Sequence, residues 1–283
     1  IDRGLVGSEM CIRDRWAIVD SKIDFQTNEK LAIVRAPASA LASGERSFIE
    51  REPIQFETAL QQHSNYAAAL TGLGLHLLHL PAMEDFPDSV FVEDTAIILD
   101  EFAILARMGT ESRRLEIDGI APILRAYREV IHLEAPASLE GGDVIVSGKK
   151  ILIGISRRSN VSGVQRVEQL TKSLGYKVTP VSVHGCLHLK TACTLLPDGR
   201  LLLNPRWVDS SALAEFSTLE IPEEEPWASC QLSVGNRCVI DERHLATIEL
   251  LSREKYHVQP IPLSELAKAE AGPTCLSLIF NTL

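Results

Sequence analysis

Long hydrophobic runs and clusters of positive charge are both missing from this sequence of 283 residues. No apolar stretch approaches the roughly 18 to 20 residues that a helix needs to cross a bilayer, which argues against a membrane protein. Lysine and arginine total 28 against 38 acidic residues, the formal net charge is −10, and there is no basic run. These features argue against nucleic-acid binding through phosphate neutralisation. An acidic protein can attract a cationic substrate, but net charge alone is weak support for that.

A secretory signal and a regular cysteine framework are also missing. The opening letters IDRGLVGSEMCIRDR contain no apolar core of the kind that signal peptides have, and they show no helical or strand periodicity. The six cysteines are irregularly spaced, which is typical of reduced thiols in a cytosolic protein. The string GLVGSEMCIRDR resembles a translated sequencing-adapter artefact. Residues 1–15 are therefore predicted to be a gene-model artefact, 1–29 a doubtful N-terminal segment, and 30–283 a single catalytic domain.

What the sequence does contain is a repeating unit of two strands, a helix and a further strand. In residues 89–133, SVFVEDTAIIL and FAILAR flank a tight turn, a segment with helical spacing follows, and VIHL reads as a strand. Similar units follow along the chain, and the fifth is split, with TCLSLIF near the end and KLAIVRA near the start each supplying a strand. Five ββαβ units predict a closed, radially repeated α/β array. Joining the two ends protects the sheet edges.

Side chains that can take part in catalysis or binding recur at matching positions of these units. By unit they are Asp88, Glu93 and Asp94 in FPDSVFVED; Glu140 and Asp143 in LEGGD; His184, Cys186, His188 and Thr191 in HGCLHLKT; and Cys275 in GPTC. Matching strand starts face one axis in such an array, so these groups are expected to converge. Acids, a histidine and a thiol are the parts of a cysteine nucleophile with an acid/base partner and a cation-binding pocket. If Glu93 and Asp94 lie on a strand, they point to opposite faces.

Two other interpretations of these residues stay open on the sequence alone. Free cysteine is among the most buried residue types, so Cys275 could simply fill the core of an apolar strand. His184, Cys186 and His188 would share one face of a strand and could hold zinc, although a distant fourth ligand would still be needed.

Several of these motifs, taken in order, resemble one enzyme family. FPDSVFVED, SRRLE, LEGGDV, LHLKT and GPTCLSL, with KLAIVRAP before them, are similar to the motifs of dimethylarginine dimethylaminohydrolases, which belong to the guanidino-group-modifying superfamily. The resemblance covers about residues 30–283. It implies a five-bladed, pseudo-symmetric α/β propeller, in agreement with the repeat.

The resemblance also implies roles for individual residues. Cys275 would be the nucleophile, His188 the acid/base and Glu140 the carboxylate that supports it. The implied substrate-binding set is Asp88, Glu93 and Asp94 for the guanidinium, Arg113 and Arg158 for the α-carboxylate, and also Thr191, Leu41 and Glu270. Leu41 lies in the segment 36–48, which is either a lid over the substrate or a plain surface loop. No metal and no cofactor are implied, the location is expected to be cytoplasmic, and the oligomeric state is left open, with a homodimer among the options.

The implied reaction is hydrolysis of Nω-methylated L-arginine to L-citrulline and dimethylamine or methylamine, through an S-alkylthiouronium intermediate on the cysteine. Lys190 stands where arginine deiminases usually carry the aspartate of an H-x-D motif, and this favours a methylated substrate. Two alternatives remain: an arginine deiminase or amidinotransferase-like activity on the same scaffold, and a non-catalytic binding protein for a cationic amino acid.

Overall fold

The computed structural model describes residues 29–282, which form five three-stranded sheets. In each sheet the middle strand pairs antiparallel with one neighbour and parallel with the other. In chain order the strands are β1 Lys30–Arg35, β2 His76–Leu80, β3 Ala96–Ile98, β4 Phe102–Leu105, β5 Glu129–His132, β6 Val144–Ser147, β7 Lys150–Ile155, β8 Lys177–Ser182, β9 Cys193–Leu195, β10 Leu201–Leu203, β11 Thr218–Glu220, β12 Leu232–Val234, β13 Arg237–Asp241, β14 His257–Ile261 and β15 Leu278–Asn281. Apart from residue 29, the doubtful segment 1–29 lies outside the described residues.

Most sheets are accompanied by an α-helix between their second and third strands. The α-helices of the described residues are α1 Phe56–Gly72, α2 Ala121–Arg125, α3 Val161–Thr171, α4 Leu189–Ala192, α5 Leu245–Arg253 and α6 Ser264–Ala267. Short 3-10 turns are found at Leu41–Ser43, Val92–Thr95, Glu111–Gly119, Gly141–Asp143, Lys172–Leu174, Ser210–Leu213 and Pro273–Leu276. No helix in residues 29–282 has both the length and the apolar character needed to cross a membrane.

The unit formed by β6, β7, α3 and β8 shows how the sequence produces the repeat. Ser147 pairs with Lys150 across a two-residue turn, and Gly148 supplies the positive φ of 57° that such a hairpin turn favours. The Asn160 side chain caps α3 by accepting a hydrogen bond from the Gly163 N–H. β8 then pairs parallel with β7, which completes the predicted ββαβ order.

The fifth sheet joins the two ends of the described chain, as predicted. β15 pairs antiparallel with β1, with Lys30 opposite Asn281. The N–H of Thr282 donates to the carbonyl of Glu29 at 2.8 Å, which extends this pairing. β2 completes the sheet on the other side of β1.

Five hydrophobic clusters connect the sheets into a ring, because each cluster draws residues from two successive sheets. The strands β3, β6, β9, β12 and β15 surround a cavity of about 330 Å³, here called the central cavity. Residues of these five strands on its wall include Ile97, Ile145, Leu195, Leu232 and Ile279. The arrangement is the radial one expected from the repeat.

The strands predicted for SVFVEDTAIIL and TCLSLIF begin later in the structure than expected. The segments just before β3, β6, β9 and β15 are single helical turns, at Val92–Thr95, Gly141–Asp143, Leu189–Ala192 and Pro273–Leu276. Cys275 therefore lies in a turn and not in a strand, and Glu93 and Asp94 do not alternate across a sheet. The candidate site is built on these turns, which the ring of sheets brings together.

Candidate active site

The candidate site centres on a buried ion pair between Glu140 and His188. Glu140 directly precedes the turn Gly141–Asp143, and His188 is the N-cap residue of α4. Nε2 of His188 lies 2.7 Å from Oε2 of Glu140, and the carboxylate is completely buried. The other carboxylate oxygen, Oε1, accepts the N–H of Gly109 at 2.8 Å. The predicted pairing of these two residues is therefore present in the structure.

The site's electrostatics favour a charged histidine. Burial alone would lower the pKa of His188, but the carboxylates of Asp94, Asp143 and Glu140 outweigh it and raise that pKa to about 10. Burial would raise the pKa of Glu140, but the hydrogen bond from His188 and the charges of His188 and two arginines hold it well below its usual range. Both shifts favour an imidazolium–carboxylate pair.

Asp143 fixes the backbone on both sides of this pair. Its Oδ1 accepts the N–H of Leu189, the residue after His188, at 2.8 Å. Its Oδ2 accepts the hydroxyls of Ser156 and Ser159, each at 2.6 Å. Ser159 in turn accepts the N–H of Glu140 at 3.1 Å. A single buried carboxyl group therefore links the backbones of both members of the pair.

Gly142 is required by the closeness of the histidine. A Cβ at this position would lie 2.6 Å from Oδ1 of Asp94 and 2.8 Å from Nδ1 of His188. Any larger residue would have to displace one of the two side chains. The second glycine of LEGGD thus has a role in the site beyond making a tight bend.

Arg113 is surrounded by carboxylates. Its NH1 group donates to Asp94 at 2.8 Å and lies 3.8 Å from Glu140. Nε and NH2 donate to Glu116 at distances of 2.9 to 3.1 Å, and NH2 also reaches the carbonyl of Asp88 at 3.4 Å. Because its donors are engaged within the protein, the arrangement does not favour the predicted role of Arg113 as a binder of the substrate's α-carboxylate.

A small pocket, here called the catalytic pocket, collects most of the predicted residues. Eight of them line it: Asp88, Asp94, Arg113, Arg158, His188, Thr191, Glu270 and Cys275. Glu140 lies behind His188. Glu45, Phe91, Leu187 and Ala269 also contribute to the wall and were not predicted. The free volume is about 20 Å³, which is room for roughly one water molecule. An amino acid can enter only if part of the wall moves.

The segment 36–48 contributes Glu45 to the wall and is held there by hydrogen bonds. The Glu45 N–H donates to Oδ2 of Asp88 at 2.8 Å, and the N–H groups of Ser47 and Phe48 donate to one oxygen of Glu270 at 2.6 and 2.7 Å. These contacts are consistent with the lid interpretation. Leu41 is different, because it is fully buried in the cluster between the β15–β1–β2 sheet and the β12–β13–β14 sheet and does not line the pocket.

Asp88 carries an acceptor without a hydrogen-bond partner, although NH1 of Arg46 lies 3.8 Å from it. The side chain is buried, and its Oδ1 has no hydrogen bond among the described residues. Burial raises the pKa of this carboxyl group, although Arg113 and the N–H of Glu45 act against the rise. An unsatisfied buried oxygen on the pocket wall is suited to accept a donor from a ligand.

Glu93 and Lys190 face the central cavity instead of the catalytic pocket. Nζ of Lys190 lies 2.8 Å from Oε1 of Glu93, and the hydroxyl of Thr274 donates to the same oxygen. The structure therefore does not bring Glu93 into the guanidinium-binding set. Lys190 also keeps its ammonium group out of the pocket.

The zinc interpretation of HGCLH is wrong in its geometry. Residues 185–188 form bends, not a strand, and Gly185 has a φ of 67°. Cys186 is buried and donates to the carbonyl of His188 at 3.3 Å. Among the described residues, the group whose possible ligand atoms lie close enough together to hold a metal ion is Asp94, Glu140 and His188. Arg113 already places a positive charge beside both of those carboxylates.

Cys275 is the partly exposed thiol among the five described cysteines. It lies in the turn Pro273–Leu276, where its N–H donates to the carbonyl of Gly272 at 3.2 Å. Its Sγ is 4.0 Å from Sγ of Cys230. The placement on the pocket wall supports the nucleophile interpretation over core filling, while the neighbouring thiol was not anticipated from the sequence.

Comparison with known proteins identifies the family. A family model described as N,N dimethylarginine dimethylhydrolase, eukaryotic, matches residues 35–192. The N(G),N(G)-dimethylarginine dimethylaminohydrolase of Pseudomonas aeruginosa is 34% identical over 253 residues, covering 89% of this chain and 99% of that protein. The protein of the same name from Streptomyces coelicolor is 36% identical over 255 residues, covering 90% of this chain and 98% of its own.

Solved structures agree with this assignment and with the predicted propeller. A dimethylarginine dimethylaminohydrolase adduct with S-methyl-L-thiocitrulline superposes with a TM-score of 0.84 at 33% identity, over 89% of this chain and all of that one. A cysteine-to-serine mutant of the Pseudomonas aeruginosa enzyme complexed with citrulline gives 0.82 at 32% identity, over 90% of this chain and all of that one. The five-bladed α/β propeller fold is confirmed, and the chain belongs to the dimethylarginine dimethylaminohydrolase family.

Proposed function

We propose that this protein hydrolyses Nω-methylated L-arginine to L-citrulline and dimethylamine or methylamine. The observation that carries the proposal is the buried Glu140–His188 pair, which opens on the same pocket as the Cys275 thiol in a chain of this family. Thiolate attack needs a nucleophile, a proton donor and a cation-binding site, and this pocket offers candidates for all three. The proposed chemistry uses no metal and no organic cofactor.

The charge of the site supports a cationic substrate. The acids that line the catalytic pocket are Glu45, Asp88, Asp94 and Glu270, and the bases are Arg113, Arg158 and His188. Carboxyl groups are in excess even when the histidine is charged. Oδ1 of Asp88 and Oδ1 of Asp94 are the acceptors best placed for a ligand, since Asp94 uses its other oxygen on Arg113. Carboxylates bind guanidinium groups through charge-assisted hydrogen bonds.

In the proposed reaction, the Cys275 thiolate attacks the central guanidinium carbon to give a tetrahedral adduct. His188 donates a proton to the departing amine, and the S-alkylthiouronium intermediate remains on the cysteine. The neutral imidazole then takes a proton from water, which attacks the same carbon. Collapse of the second adduct releases citrulline and returns the thiolate. Glu140 would position His188, and Arg113 would position Asp94. Arg158 is the better candidate for binding the α-carboxylate of the substrate.

The preference for a methylated substrate follows from Lys190. By the resemblance, arginine deiminases usually carry an aspartate at this position, which helps to hold an unsubstituted guanidinium nitrogen. Lys190 instead pairs with Glu93 in the central cavity, so this position adds no acceptor to the pocket. A dimethylated nitrogen needs none. A cytoplasmic location and a homodimeric state also remain predictions, the second testable by light scattering.

The direct experiment compares three substrates under identical conditions. Asymmetric dimethylarginine, monomethylarginine and arginine are each incubated with the protein, and citrulline is measured. We expect turnover of the methylated substrates and little of arginine. Faster turnover of arginine would instead identify a deiminase, and thermal stabilisation by dimethylarginine without any citrulline would identify a binding protein.

A pair of variants assigns the nucleophile. Cys275→Ser replaces the nucleophilic sulfur with a hydroxyl oxygen and should abolish turnover while substrate still stabilises the fold. The matched control is Cys238→Ser, at a buried thiol on β13 that does not line the pocket. Full activity in Cys275→Ser would overturn the assignment.

A further inference from the structure

A second thiol lies against the candidate nucleophile. Sγ of Cys230 is 4.0 Å from Sγ of Cys275, and Cys230 is buried behind it. A disulfide brings two sulfur atoms to about 2.05 Å, so the gap to be closed is about 2 Å. Neither cysteine lies in a strand or an α-helix: Cys230 is in the connection between β11 and β12, and Cys275 is in a single 3-10 turn. Side-chain rotation and a small backbone shift in these segments could close the gap.

Cys230 is buried but lies outside the hydrophobic clusters that hold the other buried thiols. Cys186 and Cys193 belong to one hydrophobic cluster and Cys238 to another, whereas Cys230 belongs to none of the five. Its chain neighbours, Ser229 and Gln231, are buried polar residues.

The residue before the turn that carries Cys275 leaves space for the Cys230 thiol. A Cβ at position 272 would lie only 2.3 Å from Sγ of Cys230 and 2.8 Å from its Cβ. Gly272 is thus what allows the Cys230 side chain to pack directly under the turn that carries Cys275. The close approach of the two sulfur atoms depends on this glycine.

The two thiols are unequal in exposure. The hydrogen bond with Cys275 and burial raise the pKa of Cys230 well above its usual range, so it is a poor direct target for an oxidant. Cys275 reaches the pocket. This is the arrangement of a reactive thiol with a resolving thiol next to it.

We propose that Cys230 and Cys275 form a peroxide-sensitive modification site that switches the enzyme off reversibly as a disulfide. This rests on the proposed role of Cys275 as nucleophile. The Cys275 thiolate attacks a hydroperoxide, the O–O bond breaks, and an alcohol or water leaves, so that sulfur is oxidised to a sulfenic acid and the peroxide is reduced. The Cys230 thiol then attacks that sulfur, the S–O bond breaks, and the hydroxide departs as water with the Cys230 proton. Reduction by a dithiol restores both thiols.

The disulfide would also protect the nucleophile. Without a resolving thiol, a sulfenic acid exposed to more peroxide proceeds to the sulfinic acid, which thiols cannot reduce. Oxidation of the wild-type protein is therefore expected to be reversible, and oxidation of a protein that lacks Cys230 to be permanent.

The test treats the full chain with excess hydrogen peroxide and then with dithiothreitol. Wild-type protein should lose nearly all citrulline formation, lose two free thiols, and recover most activity on reduction. Non-reducing peptide mapping should find the peptide of Cys230 joined to that of Cys275. Cys230→Ala, with near wild-type activity before treatment, should lose activity without recovery, and Cys275 should carry two added oxygens. Cys238→Ala serves as the matched control and should behave like wild type.

Several results would overturn the proposal. They are absence of the 230–275 peptide in oxidised wild type, recovery of Cys230→Ala as complete as that of wild type, or linkage of Cys275 to a different cysteine. The peptide mapping needs no enzymatic activity, so a protein that forms the disulfide but never makes citrulline would refute the proposed function and leave the modification site standing.

Discussion

Oε2 of Glu140 lies 2.7 Å from Nε2 of His188, and neither side chain is accessible to more than a trace of solvent. The two residues are 48 positions apart in the chain and belong to different sheets of the ring. Each is held by its own turn, and Asp143 ties both turns together. The pair is therefore preorganised before any substrate arrives, which is the condition under which acid/base groups are most effective.

Replacing the carboxylate tests this preorganisation. Glu140→Gln keeps the shape but removes the negative charge that favours the imidazolium. We expect kcat for dimethylarginine to fall about 100-fold, with a smaller change in KM, because proton donation to the leaving amine is impaired. The alkaline limb of the pH profile should also move to lower pH. Glu111→Gln, at an exposed glutamate paired with Arg114, is the control. An unchanged pH profile in Glu140→Gln would contradict the role.

The same pair predicts how stability depends on pH. The folded pKa of His188 is raised to about 10 from an unfolded value of about 6.5. Its contribution to the free energy of unfolding is therefore fully present below pH about 6.5 and is lost as pH rises through about 10. Glu140→Gln should cost about 3 kcal/mol at pH 7 and much less at pH 10. Urea unfolding of both proteins at the two pH values measures this. A difference that does not shrink toward pH 10 would rule out the ion pair as its source.

The sheet order could be predicted because its determinants are local. Alternating apolar segments, turn residues such as Gly148 and the helix cap at Asn160 specify each ββαβ unit without reference to the rest of the chain. The split fifth unit followed from the need to protect two edges. The strand β11, Thr218–Glu220, was not predicted, because this short segment is largely exposed and carries no apolar alternation.

The turns that carry the site could not be predicted from the same signals. VEDT, LKTA and PTCL have the composition of strand starts, but each forms a helical turn before its strand. Tertiary contacts favour the turns: Lys190 and Thr274, on two of them, both bind Glu93 on a third. This is also why Glu93 faces the central cavity, a result that no pattern of alternation anticipates. The ion pair between Arg113 and Glu116 is local, because the two residues are three positions apart in SRRLE. It could therefore have been predicted from the sequence.

A glycine-to-alanine change tests the close packing around the histidine. In Gly142→Ala the new Cβ would be 2.6 Å from Oδ1 of Asp94 and 2.8 Å from Nδ1 of His188. One of these catalytic-pocket side chains must move, and a displacement near 1 Å can cost about 100-fold in rate. We expect that loss in kcat with the protein still folded. Gly72→Ala, at a helical glycine with nothing within 4 Å of the new Cβ, should keep full activity. Wild-type kinetics in Gly142→Ala would show that the space tolerates a methyl group.

The last prediction separates the two chemical steps. If the thiolate forms next to a bound cationic substrate, its attack does not require His188, but release of the amine and hydrolysis of the thiouronium do. His188→Ala should therefore bind dimethylarginine, form citrulline extremely slowly, and accumulate a covalent species. Denaturing mass spectrometry after a rapid quench should find the substrate-derived mass, and peptide mapping should place it on Cys275. Cys275→Ser and the double variant with His188→Ala should show no adduct. An adduct on Cys186 or Cys230 would overturn the assignment of the nucleophile, whereas rapid citrulline formation by His188→Ala would show that another group supplies the proton.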